Sequence, residues 1–124
     1  MISLGVLVLL AFAHYVADFI CQKDEWAKNK WISAPHLGVH VATYTVVMWV
    51  WGIAASAFWR LSPHTTSTWA LANGVLHYGT DFITSFHTHN AFERKNYRRG
   101  FLIIGFDQFI HMVCLFGLWV ALVK

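Results

Sequence analysis

The chain has 124 residues, with nine Lys and Arg, six Asp and Glu, and a formal net charge of +3. Hydrophobic residues make up 57% of it and charged residues only 12%, against roughly 25% charged in an average soluble domain. So short a chain cannot bury this much apolar surface in a soluble core, which excludes an ordinary soluble domain. We therefore expect the lipid bilayer as its surroundings, and no nucleic-acid partner.

Four apolar stretches follow one another along the chain, and each is close to the ~20 residues that cross a bilayer as a helix. They cover residues 2–20, 36–59, 69–86 and 101–123. The predicted fold class is all-α: a polytopic membrane four-helix bundle built from two tandem helical hairpins. Residues 1–124 would form a single transmembrane domain, with hairpin 1 at about 1–60 and hairpin 2 at about 67–124.

Positive charge is distributed unevenly between the loops of this predicted topology. The loops at 22–35 and 87–100 lie on one side and hold seven Lys and Arg, whereas the other side has only Arg60 and Lys124. Loops rich in Lys and Arg stay in the cytoplasm. We expect a multi-pass protein of the bacterial inner membrane with both termini outside.

The first apolar stretch contains "HYVADFI", beginning at His14, and the third contains "HYGTDFI", beginning at His77. Five of the seven positions are identical, which indicates an internal repeat of the two hairpins. Tandem hairpins of the same direction would be related by a pseudo-two-fold axis along the membrane normal, with His14 facing His77. The duplicated Tyr15 and Tyr78 are expected to pack or to orient neighbouring groups.

Ionisable residues recur within all four stretches, and they are spaced so that each pair shares one helical face. Such groups are expensive inside a membrane and mark functional sites. Counted from the basic side at about 1.5 Å per residue, they fall at similar depths. The predicted metal ligands are the four pairs His14 and Asp18, His36 and His40, His77 and Asp81, and Asp107 and His111.

Imidazole and carboxylate groups together are ligands of divalent transition metals, with zinc the first choice and iron or manganese as alternatives. No Lys or Arg lies within the same helical stretches, so a metal is the expected counter-ion for the buried carboxylates. With more candidate ligands than one ion needs, a coordination position can stay open for water, as in catalytic sites. One of Asp18, Asp81 and Asp107 is the candidate general base.

The sequence resembles a family of small bacterial and phage membrane proteins of unknown function. The resemblance is carried by "HYVADFICQ", which ends at Gln22, and by "DQFIH", which begins at Asp107, and it covers nearly the whole chain. It implies the same candidate site residues but no reaction. More loosely, the His- and Asp-rich helices look like those of membrane-bound metal-dependent hydrolases.

A metal-dependent hydrolase acting on a lipid or lipid-linked substrate at the cytoplasmic leaflet is the first hypothesis. Its anionic substrate would be bound by Gln22, Arg94, Arg98 and Arg99, although topology alone also accounts for the arginines. A second copy of the chain, in a homo-oligomer, is a further candidate partner.

Three alternatives stay open at this stage. The first is a transporter or binding protein for a divalent metal or for protons. The second is a bis-histidine haem protein with His40 and His111 as axial ligands. The neighbouring aspartates are unusual for haem. The third is a phage membrane or exclusion protein without catalytic activity, in which His–Asp pairs hydrogen-bond across helices and stabilise the bundle.

Overall fold

A computed structural model describes residues 3–123, and within that range the chain forms five α-helices and no strand. A π-helical segment, Val16–Ile20, directly follows the first helix. The helices are α1 Leu4–Tyr15, α2 Asp24–Asn29, α3 Ala34–Trp59, α4 Pro63–Glu93 and α5 Tyr97–Leu122. The all-helical class predicted from the sequence is confirmed for the described residues.

The four longer helices begin in the same way, at a Ser or Asn that lies just outside the helix. Its side-chain oxygen accepts a hydrogen bond from the N–H three residues further on, which satisfies one of the free donors of the first turn. Proline in the first turn of α3 and α4 adds to the same start, since a proline there loses no hydrogen bond. The capping residues are Ser3, Ser33, Ser62 and Asn96.

The apolar stretches lie within helices, but two boundaries differ from the prediction. The third stretch, predicted at 69–86, belongs to a longer helix that begins at Pro63 and ends at Glu93. The first loop, 22–35, contains the short helix α2. Its sequence does not indicate a helix, because a six-residue helix with no buried residue has little apolar periodicity. Ile2, the predicted start of the first stretch, lies outside the described residues.

Two helices, α3 and α5, are long and apolar enough to cross a membrane, judged by length and composition. The apolar segment Leu4–Ile20 is shorter. Helix α4 packs along both α3 and α5, and α1 contacts the same two helices. At Gly74 a Cβ atom would overlap the Thr45 side chain, so this glycine lets α3 and α4 approach closely.

The long helices enclose two different regions. One end, which we call the apolar half, is filled by a core of large hydrophobic side chains, among them Leu10, Met48, Trp69, Leu115 and Trp119. The other end, the polar half, is filled by histidines and aspartates. Each of α3, α4 and α5 contributes to both regions, as does the segment Leu4–Ile20.

Candidate metal centre

Seven of the eight predicted ligands meet in the polar half, and we call them the His/Asp cluster. Every member is at most 8% exposed. Three overlapping groups within it bring their nitrogen and oxygen atoms close enough together to hold a metal ion. The members are His14, Asp18, His40, His77, Asp81, Asp107 and His111.

Four atoms of the cluster converge on one point. His40 Nε2 lies 3.1 Å from His77 Nε2, 3.1 Å from Asp18 Oδ1 and 3.3 Å from Asp81 Oδ2. His77 Nε2 lies 3.3 Å from the same Asp18 oxygen and 3.7 Å from the same Asp81 oxygen. Ligands about 2.0–2.2 Å from one tetrahedral zinc ion are about 3.3–3.6 Å apart. These five distances, from 3.1 to 3.7 Å, are therefore close to the spacing of a tetrahedral site.

Hydrogen bonds alone do not satisfy these two imidazoles. The Nδ1 atoms of His40 and His77 are buried and have no hydrogen-bond partner among the described residues. If each ring carries its proton on Nδ1, that donor is unpaired and its bare Nε2 faces carboxylate oxygens. If each carries it on Nε2, two N–H groups face each other across 3.1 Å. A cation between the four atoms would be bound by both bare Nε2 atoms and the two carboxylates, which removes the conflict at Nε2 and leaves each proton on Nδ1.

His111 is the least satisfied member of the cluster. It is 3% exposed, and neither ring nitrogen has a hydrogen-bond partner among the residues that the structure describes. Carboxylate oxygens lie just beyond bonding distance: Asp107 Oδ2 at 3.5 Å from Nδ1 and Asp81 Oδ1 at 3.7 Å from Nε2. A buried imidazole without a partner, surrounded by carboxylates, is suited to bind a further cation or to complete the coordination of the first.

Gln108 connects three members of the cluster, although the sequence analysis gave it no role. Its Oε1 lies 3.0 Å from His14 Nε2, and its Nε2 donates to Asp18 Oδ2 at 3.0 Å and Asp107 Oδ2 at 3.1 Å. The other His14 nitrogen lies 3.2 Å from the Tyr44 hydroxyl. With Nε2 protonated and Nδ1 accepting, His14 is fully hydrogen-bonded. It therefore orients the carboxylates through Gln108 in this arrangement, rather than offering a free nitrogen to a metal.

Lys30 reaches the cluster from the loop after α2. This corrects the expectation that no Lys or Arg is available to neutralise the buried carboxylates. Its Nζ lies 2.7 Å from Asp81 Oδ2 and 3.4 Å from Gln22 Oε1. Burial lowers the pKa of Lys30, but the ion pair with Asp81 and the charges of Asp18 and Asp107 outweigh this and raise it above its usual value. Lys30 is therefore charged, and it neutralises one of three carboxylates.

His36 is the predicted ligand that the structure does not bring into the cluster. Its side chain is 30% exposed, and its ring lies 2.6 Å from Ser33 Oγ and 3.5 Å from Glu25 Oε1. His36 and His40 share a face of α3, but His36 lies one turn nearer the start of the helix, where its ring contacts Ser33 and Glu25 and not the cluster. The duplicated Tyr15 and Tyr78 also point away, each stacked on a phenylalanine of its own helical turn.

His14 and His77, the first residues of the two repeated motifs, approach each other as expected. Their ring centroids are 6.2 Å apart. The two copies differ in local structure, because Asp18 lies in the π-helical segment whereas Asp81 lies in regular helix. Single π-turns occur often at functional sites. The pseudo-two-fold axis itself stays a prediction.

A cavity of about 420 Å³ opens directly onto the cluster. The aspartates at 18, 81 and 107 line it, together with Lys30 and the more exposed Lys28. Trp31 and His89, which also line it, stack with ring centroids 3.6 Å apart. One part of its wall is apolar, and consists of Phe19, Ala27, Phe92 and Ile104. The cavity therefore offers both cationic and apolar surface next to the candidate ligands.

The residues predicted to bind substrate do not lie together. Gln22 lines the cavity beside the cluster. Arg94 and Arg99 instead line a separate groove of about 320 Å³ near the end of α4, and Arg98 is exposed on α5. The structure thus puts the lysines of the first loop, and not the arginines, beside the candidate ligands.

The comparisons with known proteins give one match. The family described as "Protein of unknown function (DUF3307)" matches residues 6–124. No curated protein and no solved structure matches the chain.

Proposed function

We propose, for a chain that belongs to the DUF3307 family of proteins of unknown function, that it is an integral membrane protein that binds a divalent transition metal. We further propose that it uses the metal to hydrolyse a lipid or lipid-linked substrate at the cytoplasmic leaflet. The observation that carries this proposal is the convergence of His40, His77, Asp18 and Asp81 on one buried point.

The membrane setting is supported by the distribution of polarity, which is the reverse of that in a soluble protein. The buried centre of the polar half consists of ionisable side chains, while large apolar side chains cover the outside. Exposed fractions of 52% at Phe12, 57% at Val46, 71% at Val75 and 61% at Phe109 occur on four different helices. In water so extensive an apolar surface would aggregate, whereas lipid solvates it. This supports a four-helix bundle of two hairpins across the membrane.

The charge of the cluster supports a divalent ion. With the histidines neutral and all three aspartates ionised, Lys30 leaves two negative charges uncompensated. Uncompensated buried charge is strongly unfavourable, and a divalent cation would balance it. Zinc fits a set of imidazole and carboxylate ligands at tetrahedral spacing, with iron and manganese as alternatives.

Hydrolysis is supported by the position of the cavity. A metal held by the four converging atoms would need a further coordination position for water, whose pKa it would lower towards about 7 to supply a nucleophile at neutral pH. Asp107 is the best candidate to accept the proton, because it lines the cavity and lies outside the four-atom group. Its Oδ1 accepts from Thr84 at 2.5 Å and its Oδ2 from Gln108 at 3.1 Å, which fixes the carboxylate.

The proposed reaction balances with water as the only co-reactant. An O–H bond of water breaks and Asp107 takes the proton, while the oxygen forms a bond to phosphorus or to a carbonyl carbon. The bond to the leaving group then breaks, and Asp107 returns the proton to the leaving atom. The apolar wall beside Lys30 suits a substrate with a charged group and an acyl or prenyl chain.

A transporter is less well supported by the same structure. A path across the protein would have to continue from the cluster through the apolar half, which is filled by Trp69, Met48, Leu115 and their neighbours. The buried Asn73 lies between the two halves, but its amide donates to the Trp69 carbonyl of its own helix at 2.9 Å. The hydrolase hypothesis needs access to the cluster from one side only.

Metal analysis of the purified protein by mass spectrometry tests the proposal. We expect at least one transition-metal ion per chain in the wild type and its nearly complete loss in His40→Ala, because a ligand of the four-atom group is removed. His64→Ala, an exposed histidine at the start of α4, is the control and should keep the metal. A wild type that binds no zinc, iron or manganese, with His40→Ala equally stable, would leave the hydrogen-bonded structural network as the better account.

A further inference from the structure

Lys30 is a cation in direct contact with the His/Asp cluster. It is the side chain from outside the long helices that contacts the His/Asp cluster, and it is carried by the loop between α2 and α3. Its ammonium group lies 2.7 Å from Asp81 Oδ2, the same oxygen that belongs to the four-atom group. A metal bound by the four-atom group would therefore share one oxygen atom with Lys30.

A bound metal changes what Lys30 can do. Before metal binding, three carboxylates face one ammonium group, and the negative charge left over attracts cations and repels anions. A divalent ion at the four-atom group balances that charge, weakens the hold of Asp81 on Lys30 and repels the ammonium group. The 18% exposed lysine side chain has the cavity of about 420 Å³ in front of it.

We propose that Lys30 gives up Asp81 when the metal binds and then binds the anionic group of the substrate, which is a phosphate ester. The inference rests on the proposed function and adds the substrate class. A phosphate carries the charge that a lysine ammonium group recognises as a point charge, and in the cavity it would lie between Lys30 and the metal. Gln22, 3.4 Å from Lys30 Nζ, would offer its amide to the same group.

The inference predicts that metal and phosphate bind cooperatively. Phosphate should bind weakly to the metal-free protein, whose cluster is negative, and more tightly once the metal is present. Because coupling between two ligands is reciprocal, phosphate should tighten zinc binding by the same factor. A structural role for the Lys30–Asp81 ion pair would produce no such coupling.

Lys30→Met separates the effect on zinc binding from the effect on phosphate binding, since it removes the charge and keeps most of the length of the side chain. We expect its zinc affinity to rise about tenfold or more, because a competing cation is lost. We expect the affinity of the zinc-loaded protein for inorganic phosphate to fall about tenfold or more, because a charge-assisted hydrogen bond is lost. Titration calorimetry with zinc alone, and then with inorganic phosphate, measures both.

Lys28→Met is the matched control, because Lys28 has the same charge and lines the same cavity without a contact to the cluster. It should change neither affinity by more than about twofold, as expected for an exposed charge. Lys30→Arg keeps the charge and should retain phosphate binding. If Lys30→Met is not stably folded, Lys30→Gln provides the same comparison.

The outcomes distinguish this inference from the proposed function. A wild type that binds zinc but neither inorganic phosphate nor phosphatidic acid, or a Lys30→Met variant with unchanged affinity for zinc or for the phosphate ligand that the wild type binds, overturns the role of Lys30 and leaves the metal site intact. A wild type that binds no metal overturns both. Repeating the titration with phosphatidic acid in nanodiscs identifies the source of the phosphate. Lys30-dependent binding of both inorganic phosphate and phosphatidic acid supports the inference with a soluble phosphate. Lys30-dependent binding of phosphatidic acid alone supports it with a lipid phosphate.

Discussion

The two halves enclosed by the long helices are filled according to opposite rules. In the apolar half, Trp69 packs against Trp119 with ring centroids 5.4 Å apart, and its indole nitrogen lies 3.5 Å from the Leu115 carbonyl. The buried Thr66 there is satisfied locally, through a hydrogen bond to the Ser62 carbonyl. In the polar half, by contrast, the buried nitrogens of His111 have no partner among the described residues.

This difference separates a region that holds the fold together from one that is prepared for a ligand. Close packing of the apolar half requires nothing beyond the chain itself. The fold itself puts the donors and acceptors of the polar half in place, and a cavity of about 420 Å³ leads to them. A region filled only to stabilise the fold would not be expected to leave buried imidazoles unsatisfied.

The largest expected effect that tests the comparison comes from the apolar half. Trp69→Ala removes a fully buried side chain, and it should lower the free energy of unfolding by about 3–5 kcal/mol. The folded fraction should still bind zinc with the wild-type stoichiometry, because Trp69 packs in the apolar half against Trp119 and Leu115. Chemical denaturation in detergent, with metal analysis of the folded fraction, measures both. A folded Trp69→Ala variant that has lost its metal would mean that the two halves are not independent.

A smaller effect is expected from the residue that orients the ligands in the polar half. Gln108→Leu removes the hydrogen bonds to His14, Asp18 and Asp107, and it should weaken zinc binding by about 10–100-fold without abolishing it. Asn73→Leu is the matched control, since it also replaces a buried amide, but one that bonds to its own helix. Zinc titrations of the two variants give the answer. Equal affinities would show that Gln108 has no particular role in orienting the ligands.

The smallest interaction energies are those that set the orientation of the protein in the membrane, because each Lys or Arg near an anionic membrane surface contributes only about 1 kcal/mol. The polar half lies on the side of the two basic loops, so we expect it to be cytoplasmic, with both termini outside. A reporter enzyme fused after Lys124 should be found outside the cytoplasmic membrane. Activity in the cytoplasm would invert the topology and expose the cavity to the other side.

Much of the polar half could be predicted from the sequence, because helical geometry depends only on local spacing. Residues four apart share a helical face, and this rule found His14 with Asp18 and His77 with Asp81. The same rule includes Tyr44, which follows His40 by four residues, although the sequence analysis gave it no role. It also predicted His36 as a ligand, since the spacing identifies a face but not how far along the helix the neighbouring helices extend.

Only the tertiary structure decided which atoms meet. Lys30 lies in a loop without periodicity, so nothing in its local sequence indicates that its ammonium group reaches Asp81, 51 positions further along the chain. Gln108 follows Asp107 directly, yet it bonds to His14 and Asp18 because the helices bring residues 90 or more positions apart into contact. The sequence by itself determined the helices and the ionisable residues on their inner faces, which are local properties. The convergence of four ligand atoms on one point depends on the packing of those helices and on the path of a loop.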